Sequence, residues 1–296
     1  MSVDNATPVT TETATGATTM DPPAERPQLQ IADLGKAFTR NRATVHALQD
    51  VSFDVPRGQF LSVLGPSGCG KSTLLHIIGG FEHATSGAVL LDGTPITEPG
   101  RDRGMMFQQA TLFPWKTVES NVAWPFLVDG WKRDDARARA RELLATVGLS
   151  GFEGSYPAEL SGGMRQRAAL ARTLGLSPDI LLMDEPFGAL DAQTRELMQE
   201  ELTRIWEESG LTVIFITHDI DEAVFLGDRV LVMGARPGRI IADVDIELGR
   251  PRGTATKKDP RMAEYHAHFW ELIRQQAGQR ETARDKPMND PSGGSS

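Results

Sequence analysis

A single cysteine, Cys69, is the only thiol in the 296 residues. One cysteine excludes an intramolecular disulfide and any zinc or iron–sulfur site built on cysteines. Long apolar runs are also missing. No window approaches the ~18 consecutive apolar residues that span a bilayer. The longest runs, such as 180–183 and 213–216, have the length of strands. The start of the chain lacks a basic stretch followed by an apolar one, so no secretory signal is expected. Excess positive charge is absent too. There are 31 Lys and Arg against 40 Asp and Glu, a net charge of −9. Such a chain is a poor non-specific binder of nucleic acid or anionic lipid. What remains is an ordinary globular composition, 40% hydrophobic and 24% charged, in a chain long enough to bury a substantial core. These absences predict a cytoplasmic protein that works at a membrane only if another subunit takes it there.

Residues 1–27 are rich in Thr, Ala and Pro and poor in large apolar side chains, which predicts a disordered tail. Residues 279–296 are polar and predict a second one. Between the tails, 28–34 and 51–55 read as strands of a small sheet. Residues 60–64 form a short apolar run that ends at a glycine loop. A helix over 71–78 follows, closed by Gly79 and Gly80. The apolar runs 180–183 and 211–216 suit strands buried on both faces of a parallel sheet. Between them, 195–208 places Met198, Leu202, Ile205 and Trp206 on one helical face. Residues 114–175 are helical in pattern and predict a subdomain inserted into a sheet domain over 28–252. An extension over 253–278 follows. Asp259 and Pro260 fit an N-cap and first turn there. Met262, His266, Phe269, Trp270 and Ile273 form an amphipathic stripe on that helix.

Residues 65–72 read Gly-Pro-Ser-Gly-Cys-Gly-Lys-Ser and match G-x-x-x-x-G-K-[ST]. Glycines allow a tight loop whose backbone N–H groups point inward at phosphate oxygens. The loop runs into a helix N-terminus, whose partial positive charge favours an anion. Lys71 is expected to reach the β- and γ-phosphates of ATP, and the Ser72 hydroxyl to ligate magnesium. Residues 180–183 deliver Asp184 and Glu185 at the C-terminal end of a buried strand, where ligands bind in open α/β sheets. Asp184 is expected to hold magnesium, directly or through water. Glu185 is expected to polarise the attacking water as general base. A third segment runs Leu160-Ser161-Gly162-Gly163-Met164-Arg165-Gln166-Arg167. Ser161 can cap a helix, and the two glycines expose its first N–H groups. One nucleotide needs only one such cradle, so a second suggests ATP held between two copies of the domain. Taken alone, the segment also fits an ordinary capped helix.

In this order the motifs resemble those of the nucleotide-binding subunit of an ATP-binding-cassette (ABC) transporter, over about residues 29–251. The resemblance implies an α/β fold: a P-loop NTPase core with a mostly parallel sheet, a small antiparallel β-subdomain and an inserted α-helical subdomain. It implies ATP and Mg2+ as cofactors. Gly65, Pro66, Ser67, Gly68, Cys69, Gly70, Lys71, Ser72 and Thr73 would bind ATP. Ser161, Gly162 and Gly163 match the signature that grips the opposing ATP. Met164 stands where that signature often has Gln, but the phosphate-contacting Ser161 and the glycines are intact. Asp184 and Glu185 match the second nucleotide motif. Ala189, Leu190 and Asp191 match the loop that crosses the dimer interface. His218 matches the switch histidine at the γ-phosphate. Gln108, after Phe107, matches the glutamine that senses magnesium and the membrane partner, with Gln109 the alternative. Phe38 stands where the family stacks an aromatic on adenine, though an aromatic beside a small strand also fits core.

Leu112-Phe113-Pro114-Trp115 and Arg250-Pro251-Arg252 look like the nitrate/sulfonate/taurine/bicarbonate importer branch. That likeness implies a head-to-tail dimer on the cytoplasmic face of a membrane. Its partners would be an integral permease docked near Phe113, Pro114 and Trp115, an apolar cluster that also fits subdomain core, and, indirectly, a solute-binding protein, with no nucleic acid. Soluble cassette ATPases are the alternative. Those in DNA repair carry long coiled coils or cysteine zinc sites, and those on ribosomes usually join two cassettes. A small-molecule kinase would have no use for Ser161 or His218.

Overall fold

The computed structural model describes residues 27–40 and 43–284. The tail expectations for 1–26 and 285–296 lie outside the described residues. Strands β1 (Leu29–Arg40), β2 (Ala43–Val55), β4 (Ser86–Leu91) and β5 (Thr94–Pro95) form an antiparallel sheet in the order β2-β1-β4-β5. The second sheet holds β3 (Phe60–Leu64), β6 (Arg103–Met106), β7 (Ile180–Asp184), β8 (Thr212–Thr217), β9 (Arg229–Gly234) and β10 (Arg239–Asp245). Its order is β10-β9-β3-β8-β7-β6, parallel throughout except for the edge strand β10. This is the α/β class that the motifs imply.

Helix α1 (Lys71–Ile78) leaves β3. Helices α2 (Val118–Val128), α3 (Arg133–Thr146) and α4 (Gly162–Leu174) lie between β6 and β7. Helix α5 (Ala192–Ser209) crosses from β7 to β8, α6 (Ile220–Leu226) from β8 to β9, and α7 (Pro260–Arg284) follows β10. Among the described residues no helix is long and apolar enough to cross a membrane.

The continuous apolar runs have a physical reason. Every residue of β3 and β8 is buried, and so are the first four of β7. Alternate side chains serve different cores. Phe60, Leu64, Leu181, Met183, Val213 and Phe215 join one core with Val122, Leu144 and Leu170 of α2, α3 and α4. Leu61, Val63, Leu182, Ile214 and Ile216 face the other way, onto Leu74, Leu75 and Ile78 of α1 and onto the antiparallel sheet.

The C-terminal extension departs from its expectation in two ways. Helix α7 continues to Arg284, past the boundary at 278. Residues 279–284 contain neither Gly nor Pro, and Arg, Gln, Glu and Ala favour helix. The buried stripe is also narrower than expected. Met262 and Phe269 are buried, whereas Trp270 is 58% exposed. His266 is exposed and meets Asp221 of α6, Nδ1 to Oδ1 at 2.8 Å.

Candidate active site

The phosphate-binding motif forms the turn from β3 into α1. Gly70 caps α1 with φ of 102°, a conformation that a side chain rarely adopts. A Cβ there would also meet the Ala47 carbonyl at 2.8 Å. Lys71 is buried at 4% exposure. Its Nζ donates to the carbonyls of Gly65 (2.7 Å) and Pro66 (3.2 Å), which stretches the lysine across the inside of the loop.

Parallel registration brings the other groups to this point. Asp184 ends β7 level with Ile216 on β8, and Leu64 ends β3 level with Thr217. The C-terminal ends of three adjacent strands therefore converge. Ser72 Oγ donates to Asp184 Oδ1 at 3.1 Å. Burial pushes the Asp184 carboxyl above its ordinary range, the Ser72 hydrogen bond opposes this, and the Glu185 charge adds to it. Glu185 sits in the left-handed region, φ 43°, with its N–H donated to the Ile216 carbonyl at 3.0 Å. That backbone aims its carboxylate between two cations or donors. Oε1 lies 3.5 Å from Lys71 Nζ, and Oε2 lies 2.9 Å from His218 Nδ1.

A cavity of about 640 Å³ opens over these groups. Ser67, Gly68, Gly70, Lys71, Ser72, Thr73, Gln108, Asp184 and Glu185 line it. Gln108 lines it and Gln109 does not. Cys69 points the other way, buried in the core on the α1 side. Phe38 does not line the cavity. It pairs with Val45 across β1 and β2, is 40% exposed, and carries Lys36 Nζ over its ring at 4.8 Å.

Ser161, Gly162 and Gly163 are not brought to this cavity. They open α4, where Ser161 Oγ accepts from the Met164 N–H at 3.3 Å. Gly163 lies against Thr194 of α5 with no room for a side chain. The chain thus carries two separate helix starts of this kind, at α1 and at α4.

Several residues escaped the sequence reading. Val45, His46, Ala47 and Arg236 also line the cavity. Arg236 belongs to the β9–β10 hairpin, and only the adjacency of β9 and β3 brings it to the loop. Gln166 is buried on α4 and donates to the Gln108 carbonyl at 2.9 Å, which ties α4 to the cavity wall. Asn121 is fully buried. It accepts from the Phe113 N–H at 2.7 Å and donates to the carbonyls of Phe113, Lys116 and Thr117. This pins the loop that carries Trp115, itself 72% exposed. The place of Asn121 beside Glu119 and Ser120 in the first turn of an otherwise apolar α2 was the only signal for it.

The backbone cradle, buried lysine, hydroxyl–carboxylate pair and carboxylate–imidazole pair are the parts of a phosphate-loop site for a nucleoside triphosphate. The relatives narrow this class. A family model described as ABC transporter matches residues 48–188. The chain is 56% identical to the taurine import ATP-binding protein TauB of Rhizobium johnstonii, over 70% of this chain and 79% of that protein. It is 47% identical to the aliphatic sulfonates import ATP-binding protein SsuB of Bacillus cereus (76% and 88% covered). It is 43% identical to the nitrate import ATP-binding protein NrtD of Synechocystis (83% and 95% covered). Its fold is similar to that of a dimeric ATP-binding cassette solved in a post-hydrolysis state with ADP and Pi. The TM-score is 0.67 at 33% identity, with 74% of this chain and 99% of that chain covered. The chain belongs to the ABC transporter family, and it is an ATPase of the ATP-binding-cassette type.

Proposed function

We propose that this chain energises import of a small sulfonate, taurine or nitrate through a separate permease, as a head-to-tail dimer on the cytoplasmic face of a membrane. One observation carries the hydrolytic part of the reading: the Glu185 carboxylate held between Lys71 Nζ and His218 Nδ1, beside the Ser72–Asp184 pair. The substrate range is supported by the relatives, which are named for taurine, aliphatic sulfonates and nitrate.

In this reading the loop 65–72 and Lys71 hold the β- and γ-phosphates, and Thr73 stands at the rim. Ser72 and Asp184 offer two hard oxygen donors on one side of the cavity, and the Gln108 amide a third, a set that fits magnesium rather than a softer metal. Magnesium bound there neutralises phosphate charge. Glu185 takes a proton from the attacking water at its carboxylate, and His218 orients that carboxylate and the γ-phosphate. Ser161, Gly162 and Gly163 of the second copy close over the same ATP with backbone N–H groups at a helix N-terminus. A similar cassette was solved as a dimer bound to ADP and Pi, which supports this pairing. The pinned loop with exposed Trp115, beside a groove lined by Phe113, Trp124 and Val128, suits a helix of the permease.

The test is growth of a strain lacking this chain, with taurine or an alkanesulfonate as the sole sulfur source or nitrate as the sole nitrogen source. Loss of growth on one of them, restored by wild type and not by Lys71→Ala, is the expected result. Normal growth on all three would contradict the assigned substrate range.

A further inference from the structure

Glu222 is a buried carboxylate, 6% exposed, and does not line the cavity over Glu185. It lies in the first turn of α6, one turn beyond His218. Its Oε2 accepts from the Thr217 hydroxyl at 2.7 Å. The same hydroxyl accepts from the Asp219 N–H at 3.0 Å. Thr217 therefore clasps the backbone on either side of His218, and Glu222 holds Thr217. The Asp219 side chain accepts from the Glu222 N–H at 3.1 Å and closes the turn from the other end.

The other oxygen of Glu222 looks toward α5. Oε1 accepts from Gln199 Nε2 at 3.4 Å and lies 3.6 Å from Arg195 Nε. Arg195 in turn donates to the Leu190 carbonyl at 3.0 Å. A continuous path results: the 189–191 loop, Arg195, Glu222, Thr217, the His218 backbone, and the Glu185 carboxylate. Burial raises the Glu222 carboxyl above its ordinary range, while the Thr217 hydrogen bond opposes the shift. A carboxyl group is costly at such a depth unless its partners hold it.

We infer that Glu222 is a positioning residue for hydrolysis: it fixes the turn that carries His218 and couples that turn to the 189–191 loop through Arg195. The inference rests on the reading of His218 as part of the active site. An alternative in which Glu222 merely caps α6 would change stability and leave the chemistry of bound ATP alone.

The experiment measures kcat and KM for MgATP hydrolysis in Glu222→Met, Glu222→Gln, Thr217→Val, His218→Ala and the double variant of Glu222→Met with His218→Ala. A misplaced active-site group costs on the order of 10²-fold, so Glu222→Met is expected to lower kcat by about that factor. KM should stay within about twofold, because the loop 65–72 and Lys71, not the single contact from His218, carry most of the hold on ATP. Glu222→Gln keeps an oxygen for the Thr217 hydroxyl and should recover at least about tenfold of the loss. In the His218→Ala background the Glu222 change should cost less than about threefold, since both act through one group. A kcat within about threefold of wild type in Glu222→Met, or losses that multiply in the double variant, would overturn the inference. Where Glu222→Met does not fold, the near-isosteric Thr217→Val replaces it with the same two outcomes. An unchanged kcat in His218→Ala would instead overturn the reading of the site, and this inference with it.

Discussion

Glu185→Gln is expected to lower ATP turnover by about 10²–10⁴-fold, the usual contribution of a positioned general base. The amide has the shape of the carboxylate but cannot take a proton from water. Binding should survive, because the groups that hold phosphate are elsewhere. Lys71 keeps its hydrogen bonds to the carbonyls of Gly65 and Pro66 when the Glu185 charge at 3.5 Å is removed. Ser72 and Asp184 keep theirs to each other. Phosphate release at saturating MgATP measures the loss, and a nucleotide titration checks that affinity is retained. Turnover close to wild type would remove Glu185 from the chemistry.

The second large effect is on stability. Phe215 is fully buried on β8, with its ring 6.0 Å from Phe60 and 5.6 Å from Phe187. Phe60 in turn meets Trp206 of α5 edge-on at 5.8 Å. Phe215→Ala would leave a cavity at the centre of this aromatic group, where strands on either side prevent collapse. The expected cost is about 3–5 kcal/mol, a large share of a total of about 5–15 kcal/mol. Phe215 lies two residues before Thr217, so turnover should fall as well. Urea unfolding followed by tryptophan fluorescence reads the change. A loss below about 1 kcal/mol would mean that the core around β8 is looser than its packing indicates.

The strands that build the site were legible because they are buried on both faces and therefore appear as unbroken apolar runs. The phosphate loop was legible because its chemistry is local: glycines, lysine and hydroxyl follow one another within eight residues. Groups recruited across the sheet were not. Arg236 reaches the cavity only because β9 lies beside β3, and no spacing in the chain records that neighbour. Gln166 and Asn121 look like polar residues on helices until their partners are known, the distant Gln108 carbonyl for one and the backbone of the loop just before α2 for the other. Arg252 drew notice only as part of a short branch-like motif. In the fold it is 5% exposed and donates to the carbonyls of Val224, Phe225, Gly227 and Leu248. It thereby satisfies the end of α6, the helix whose first turn holds Glu222. Burial lowers its pKa to about 10, with the Arg250 charge adding to the shift. Trp270 failed in the opposite direction: helical spacing placed it on the apolar stripe, but the buried stripe is narrower and leaves it exposed.

The separation of the loop 65–72 from Ser161 within one chain is the feature on which the proposed function turns. Its most direct measurement is the mass in solution of Glu185→Gln, with and without MgATP, alongside its bound nucleotide content. A monomer without ATP and a dimer holding two ATP per pair are expected, and Ser161→Glu added to the same chain should abolish that dimer while leaving ATP bound. A Glu185→Gln monomer that carries a full equivalent of ATP would contradict the shared site, because the loop 65–72 would then hold the nucleotide with no use for Ser161.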